Sequence, residues 1–107
     1  MQYYVIGERE IVLAFRLIGI DGTAAVNREE ALDAFNHVTG QSQFPVEELP
    51  RVLILTEEVS MMLDEEVMRW QKKADYPLIV EVPGIHGYLS DRKTLTDTIR
   101  EDVGISV

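Results

Sequence analysis

The chain lacks cysteine, has few basic residues and contains no long apolar run. The absence of cysteine from 107 residues excludes disulfides and thiolate metal sites. Ten lysines and arginines against nineteen acidic residues give a net charge of −9, which repels phosphate backbones and anionic lipid surfaces. No stretch approaches the roughly 20 apolar residues that cross a bilayer, and nothing resembles a signal peptide. We therefore expect a cytoplasmic protein that neither binds nucleic acid nor inserts into a membrane.

The residue patterns of nucleotide, phosphotransfer and metal sites are also missing. The first strand-to-helix turn, IGEREI, has one glycine and two acids, whereas a phosphate-binding loop needs several glycines. The predicted third strand ends in Thr56 rather than in the aspartate that a phosphoacceptor receiver domain requires. His37 and His86 have no acidic partner at ligand spacing, and the acidic run at 64–66 points in several directions from a helix. The residue patterns therefore offer no candidate for a catalytic, cofactor-binding or metal site.

What the chain does contain is an alternation of short apolar runs with helical patterns, which is typical of a parallel α/β fold. We predict strands at about 3–6, 24–26, 51–56 and 78–82, and helices at about 8–18, 27–38 and 57–72. These elements make one receiver-like, Rossmann-like domain, with a four-stranded parallel sheet inside a three-layer αβα arrangement. Residues 1–83 form the α/β unit, and residues 84–107 add a hinge loop and a C-terminal helix to the same single domain.

Local signals set several element ends. Gly19 is predicted to end the first helix, and Asn27 with Glu30 forms a capping box for the second. Thr56 is predicted to cap the third helix. The apolar run before it, RVLILT, is expected to be a central strand covered on both faces, whereas Glu81 within LIVEV suggests either a strand at the edge of the sheet or a face partly open to water.

The first helix carries more apolar residues than one face can bury. The residues predicted to face the sheet are Ile11, Val12, Phe15 and Ile18. Leu13 and Leu17 lie on the opposite side, where they would pack against a neighbouring helix or contact a partner protein. Met61 and Met68, one heptad apart on the outer side of the predicted third helix, are either incidental or adaptable partner contacts.

The C-terminal segment has only a narrow apolar stripe of Leu95, Ile99 and Val103. Burying these three side chains supplies about 1.5–3 kcal/mol each, whereas ordering about ten residues costs about 1–2 kcal/mol apiece before hydrogen bonds are counted. The two totals nearly cancel, so this helix is expected to be stable only when docked. We therefore predict that it can change its docking site, with the hinge at 83–87.

Four segments resemble a known family in their order and spacing. These are VIG followed after four residues by VLAFRLIGI, then RVLILTEEV, PLIVEVPG and the closing IREDVGISV. Together they are similar to the F subunit of the prokaryotic V-type, or archaeal-type, ATP synthases, and the resemblance runs from Val5 to Val107.

The resemblance implies a non-catalytic component of the central rotor stalk, peripheral to the membrane. Such a component would bind the coiled-coil shaft, which is the D subunit, and help to couple and regulate ATP turnover with proton or sodium translocation. Its C-terminal segment, about residues 90–107 here, would contact the shaft or the ring of catalytic A and nucleotide-binding B subunits. The residues themselves leave two alternatives, a degenerate receiver-like adaptor and a small enzyme with an unrecognised pocket.

Overall fold

Four short strands separated by helices form a parallel sheet, as the alternation of apolar runs predicts. The computed structural model describes residues 2–41, 48–73 and 75–84. The strands are β1 (Tyr3–Gly7), β2 (Asp21–Ala24), β3 (Val52–Thr56) and β4 (Leu78–Val82). The helices are α1 (Arg9–Leu17), α2 (Arg28–Val38), α3 (Glu57–Met62) and α4 (Asp64–Lys73).

The strand order β2-β1-β3-β4 makes the sheet doubly wound. The chain moves from β1 to β2 in one direction and then crosses back to β3 and β4. Right-handed crossovers therefore place α1 on one face and α2, α3 and α4 on the other. The edge position predicted for the strand containing Glu81 is confirmed, because β4 ends the strand order and, among the described residues, pairs with β3 alone. No helix within the described ranges has the length and apolar composition needed to span a bilayer.

The larger hydrophobic core fills the space between the sheet and the helices α2 to α4. Buried side chains of β1 and β3 meet Phe35 from α2 and Leu63 at the end of α3. Trp70 of α4 lies edge-on to Phe35, with ring centroids 6.3 Å apart, and its indole N–H donates to the Pro77 carbonyl at 2.8 Å. Trp70 is therefore buried with its one polar group satisfied.

A smaller core lies under α1, on the other face. Val12 packs on Val5 and Ile54, with Phe15 partly buried beside them. The prediction for Ile18 is wrong, because it is 72% exposed. The helix ends at Leu17, and Ile18 takes the C-cap position with non-helical backbone angles, which turn its side chain away from the sheet.

The second strand lies earlier than predicted, at Asp21–Ala24 rather than 24–26. Its small and polar residues give no apolar signal, yet packing requires one of them, since a Cβ at Gly22 would lie 2.5 Å from the Val5 carbonyl oxygen. Gly19, with φ of +88°, makes the turn out of α1 as predicted. Arg16 donates from Nη2 to the Gly22 carbonyl at 3.2 Å, which ties α1 to this edge strand.

The capping prediction for α2 is confirmed. Asn27 Oδ1 accepts a hydrogen bond from the Glu30 amide at 2.9 Å. Glu30 Oε1 in turn accepts from the Val26 amide at 2.9 Å, one residue further back than in the usual capping box. Side-chain oxygens therefore satisfy two backbone donors at the start of this helix.

The predicted third helix at 57–72 is two helices, α3 and α4, with Leu63 between them. The apolar period continues through the junction, because Val59, Leu63 and Val67 are all buried. Thr56 is the N-cap residue of α3, as predicted, but its side chain makes no capping hydrogen bond. Its hydroxyl bonds to Glu8 instead.

Candidate interaction surfaces

The carboxyl edge of the sheet is where doubly wound folds usually bind ligands. Here Glu8, between β1 and α1, accepts a hydrogen bond on Oε1 from the Thr56 hydroxyl at 2.8 Å. A Cβ at Gly84 would lie 2.7 Å from Oε2 of the same carboxylate. The protein's own groups therefore fill the crevice between β1 and β3 at this edge.

The sequence predicts no catalytic or metal-binding role for the histidines or for the acidic run at 64–66. Where these residues are described, they do not form a cluster of ligands. Among residues 2–41, 48–73 and 75–84, no three histidine, aspartate or glutamate side chains are placed to hold a metal ion. His37 lies on α2 along an open groove that Thr23 and Asp33 also line. His86 lies outside the described residues.

The acidic run at the start of α4 is more than the solvated face that its sequence predicts. Asp64 and Glu65 are exposed, but Glu66 forms a bidentate ion pair with Arg28 of α2. The same guanidinium donates to the Met62 carbonyl at the end of α3. The hydrogen bond from Arg28 lowers the pKa of Glu66, and that bond correspondingly raises the pKa of Arg28. The sequence carries no signal of this pair because its members lie 38 positions apart.

The outer face of α1 carries the apolar surplus that the sequence predicts. Leu17 is 88% exposed and Leu13 is 47% exposed, on the side of the helix away from Val12 and the sheet. Because both remain exposed, no helix within the described residues buries them. The neighbouring-helix alternative therefore does not account for this face in that part of the chain.

Met61 and Met68 are each about half exposed, as expected for outer positions. They do not lie one heptad apart on a single helix, because Met61 belongs to α3 and Met68 to α4. The junction at Leu63 interrupts the continuous stripe that the sequence predicts. Their role as partner contacts stays a prediction for two separate methionines.

A third apolar surface lies on the sheet itself, where the sequence suggests only that the strand containing Glu81 lies at the edge or has a face partly open to water. Registered neighbours on β1, β3 and β4 point the same way, so Tyr3, Val52 and Leu78 form one row and Ile54 with Val80 belongs to the next. Tyr3, Leu78 and Val80 are exposed, although they lie on the face that α1 covers at β1 and β2. Within the described residues, α1 is the only helix on this face, and it leaves the β3–β4 half open. We call this half the open sheet face.

The three C-terminal candidates, Leu95, Ile99 and Val103, lie outside the described residues. Gly84, the last described residue, follows β4 directly. The segment that carries these candidates therefore begins at the carboxyl edge of the sheet, next to the open sheet face.

The match to known families covers almost the whole chain. The family model described as ATP synthase (F/14-kDa) subunit matches residues 4–103. The chain belongs to this family of ATP synthase subunits. The match spans all four strands and all four helices of the described fold and extends into the C-terminal segment.

Individual relatives in this family are similar over nearly their full lengths. The F subunit of the A-type ATP synthase of Thermoplasma acidophilum is 30% identical over 103 residues, covering 96% of this chain and 91% of that protein. The corresponding protein of Methanocaldococcus jannaschii is 29% identical, covering 100% of this chain and 99% of that protein. The F subunit of a V-type ATP synthase of Clostridium botulinum is 26% identical, with 96% and 93% covered. The family predicted from the sequence segments is thereby confirmed.

Membership in a family of ATP synthase subunits changes how the exposed apolar surfaces are interpreted. Each subunit is one part of a larger complex, and apolar area left exposed on a small domain commonly marks a contact within such a complex. The outer face of α1, the open sheet face and the two exposed methionines are accordingly candidate contact surfaces.

Proposed function

We propose that this chain is a non-catalytic subunit of the central stalk of an A/V-type ATP synthase, on the cytoplasmic side and peripheral to the membrane. In this role it binds the coiled-coil shaft, the D subunit, and helps to couple and regulate ATP turnover with proton or sodium translocation. The observation that carries the proposal is the match to the ATP synthase (F/14-kDa) subunit model over residues 4–103.

The arrangement of side chains supports a role through docking. At the usual ligand edge of the sheet, the Glu8 carboxylate is bonded to Thr56 and lies against Gly84, so the crevice is occupied by the protein itself. The exposed apolar side chains lie elsewhere, on α1 and on the open sheet face. A protein that buries these surfaces against other subunits gains roughly 25 cal/mol for each Å² of apolar surface removed from water.

The proposal extends to residues 84–107, which we expect to act as a hinge and a C-terminal helix. The nearest apolar surface on which this segment could pack is the open sheet face, because the segment starts at Gly84, beside β4. A helix seated there would set Leu95, Ile99 and Val103 against Leu78 and Val80. The energy balance of so narrow a stripe is close to zero, which would allow the segment to exchange this seat for the shaft or for the A and B subunits.

Reconstitution tests the proposed function. The purified full chain and the D subunit of the same organism are mixed and separated by size-exclusion chromatography, and ATP hydrolysis is measured in the assembled complex with and without this chain. We expect co-elution of the two proteins and a changed hydrolysis rate when the chain is omitted. A failure to associate with the D subunit at concentrations of about 10 μM, where most specific complexes form, would leave the receiver-like adaptor as the better explanation.

A further inference from the structure

The exposed side of α1 has the residue spacing of one heptad of a coiled coil. Leu13 and Leu17 are four positions apart, as d and a residues are, and Glu10 occupies the preceding a position. At 100° per residue these three side chains lie within about 60° of one another. Val12, on the other side of the helix, is buried against Val5 and Ile54, so the exposed stripe is not needed to attach α1 to the sheet.

A basic flank accompanies this stripe on an otherwise acidic protein. Arg9 and Arg16 are seven residues apart, both exposed, and both take the g position next to the stripe. Arg16 is held along this flank by its hydrogen bond to the Gly22 carbonyl at 3.2 Å. Because the whole chain has a net charge of −9, two arginines beside an exposed apolar stripe are a local reversal of charge.

We propose that the outer face of α1 binds an amphipathic helix of a partner protein, which supplies an apolar a/d seam and carboxylates opposite Arg9 and Arg16. Apolar contact with Leu13 and Leu17 provides the affinity, and the g-position arginines select the partner and its register. The inference rests on the proposed function, since a coiled-coil shaft presents helices of this class, and it specifies which surface of this chain such a helix would meet.

The position of α1 favours an external helix over the chain's own C-terminal segment. The open sheet face lies beside α1, and the described chain ends at Gly84, two residues after β4. A helix packed there would meet the flank of α1 that carries Ala14, opposite the Arg16 flank that bonds to β2. The Ala14 flank lies about 60–100° around the helix from Leu17 and Leu13. Leu13 and Leu17 would therefore stay exposed even with the C-terminal segment packed on the open sheet face.

Binding of the D subunit to full-length variants tests this surface. We expect Leu17→Ser to weaken binding about tenfold or more, because about 1.5 kcal/mol or more of apolar contact is lost. Arg9→Glu should weaken binding several-fold and reduce its dependence on salt. Val26→Ser is the matched control, since Val26 is 75% exposed but lies between β2 and α2, outside the candidate contact surfaces. Circular dichroism during heating should show that all three variants unfold as the wild type does.

The outcomes separate this inference from the proposed function. If the wild type binds the D subunit and neither Leu17→Ser nor Arg9→Glu differs from Val26→Ser, the α1 surface is wrong and the stalk function stands. If even the wild type fails to bind the D subunit, the stalk function itself fails, and the inference fails with it.

Because the chain has no cysteine, a single introduced cysteine can report whether the D subunit covers the outer face of α1. Leu17→Cys in the full chain carries an environment-sensitive fluorophore at a single site. We expect a solvent-like emission from the free chain and a blue shift when the D subunit is added. A blue-shifted emission in the free chain that the D subunit does not change would show that the chain covers its own α1, which overturns the proposal.

Discussion

The side chain of Arg28 joins elements that lie far apart in the sequence. Its guanidinium pairs with Glu66 at the start of α4 and donates to the Met62 carbonyl at the end of α3. That carbonyl lies where the α3–α4 junction interrupts regular helical bonding. An exposed ion pair alone contributes little, so the contact to the carbonyl gives Arg28 its structural role, which is to fix the junction against α2.

Removing the charge of Glu66 should produce a stability loss that depends on pH. The hydrogen bond from Arg28 lowers the pKa of Glu66 from its ordinary value of 4.5. A carboxylate with a lowered pKa stabilises the fold above its unfolded pKa, and this contribution is lost as the pH falls through the lowered value. We therefore expect Glu66→Gln to lower the free energy of unfolding at pH 7, and the difference from the wild type to shrink as the pH falls below 4.5 and through the lowered pKa, as measured by urea denaturation across that range.

Glu65→Gln is the matched control for this prediction. Glu65 precedes Glu66 in the same first helical turn, so it shares the favourable interaction with the helix dipole. Its only described ion pair is a 4.0 Å contact with Arg69 between two exposed side chains. Equal effects of the two substitutions at pH 7 would show that the helix dipole, and not Arg28, accounts for the loss.

At the scale of elements, the start of α2 depends on a single side chain. Asn27 accepts from the Glu30 amide, and its replacement leaves that donor without its intrachain partner. Asn27→Ala should therefore lower the free energy of unfolding by about 1 kcal/mol, measured by urea or thermal denaturation. The substitution should leave α1 and the sheet unchanged.

Asn36→Ala provides the comparison within the same helix. Asn36 lies in the interior of α2, where alanine has the higher helix propensity, so this change should be neutral or slightly stabilising. If Asn27→Ala and Asn36→Ala have the same effect, the capping hydrogen bond contributes nothing measurable.

The elements also show which parts of the fold are readable from sequence. The helix α2 is predicted closely because its cap and its buried residues are neighbours in the chain. The strand β2 is misplaced because the requirement for Gly22 comes from Val5 on another strand. The junction at Leu63 gives no signal because the apolar period passes through it unbroken, whereas the interactions there include Arg28 from a distant helix.

At the scale of the whole molecule, some contact surfaces can be predicted from the sequence and others only in part. Leu13 and Leu17 can be predicted because they exceed what one helical face can bury, and the exposure of both is confirmed. The open sheet face can be predicted only in part, since Glu81 within LIVEV suggests an edge strand or a face partly open to water but does not say which face lacks a helix. Which half of a face lacks a helix depends on strand order and crossover direction, and these are properties of the assembled sheet.

If the C-terminal segment packs on the open sheet face, a polar substitution at Val80 on that face should destabilise the full chain. Val80→Thr keeps the shape and strand preference of valine but adds a hydroxyl. If residues 85–107 cover this position, the hydroxyl is buried without a partner and should lower the free energy of unfolding by about 1–3 kcal/mol. Val26→Thr, at a position that is 75% exposed outside the sheet, should change it by less than about 0.5 kcal/mol. Equal, small effects in urea denaturation would mean that the open sheet face stays uncovered in the free protein, and the segment would then need another protein for its apolar stripe.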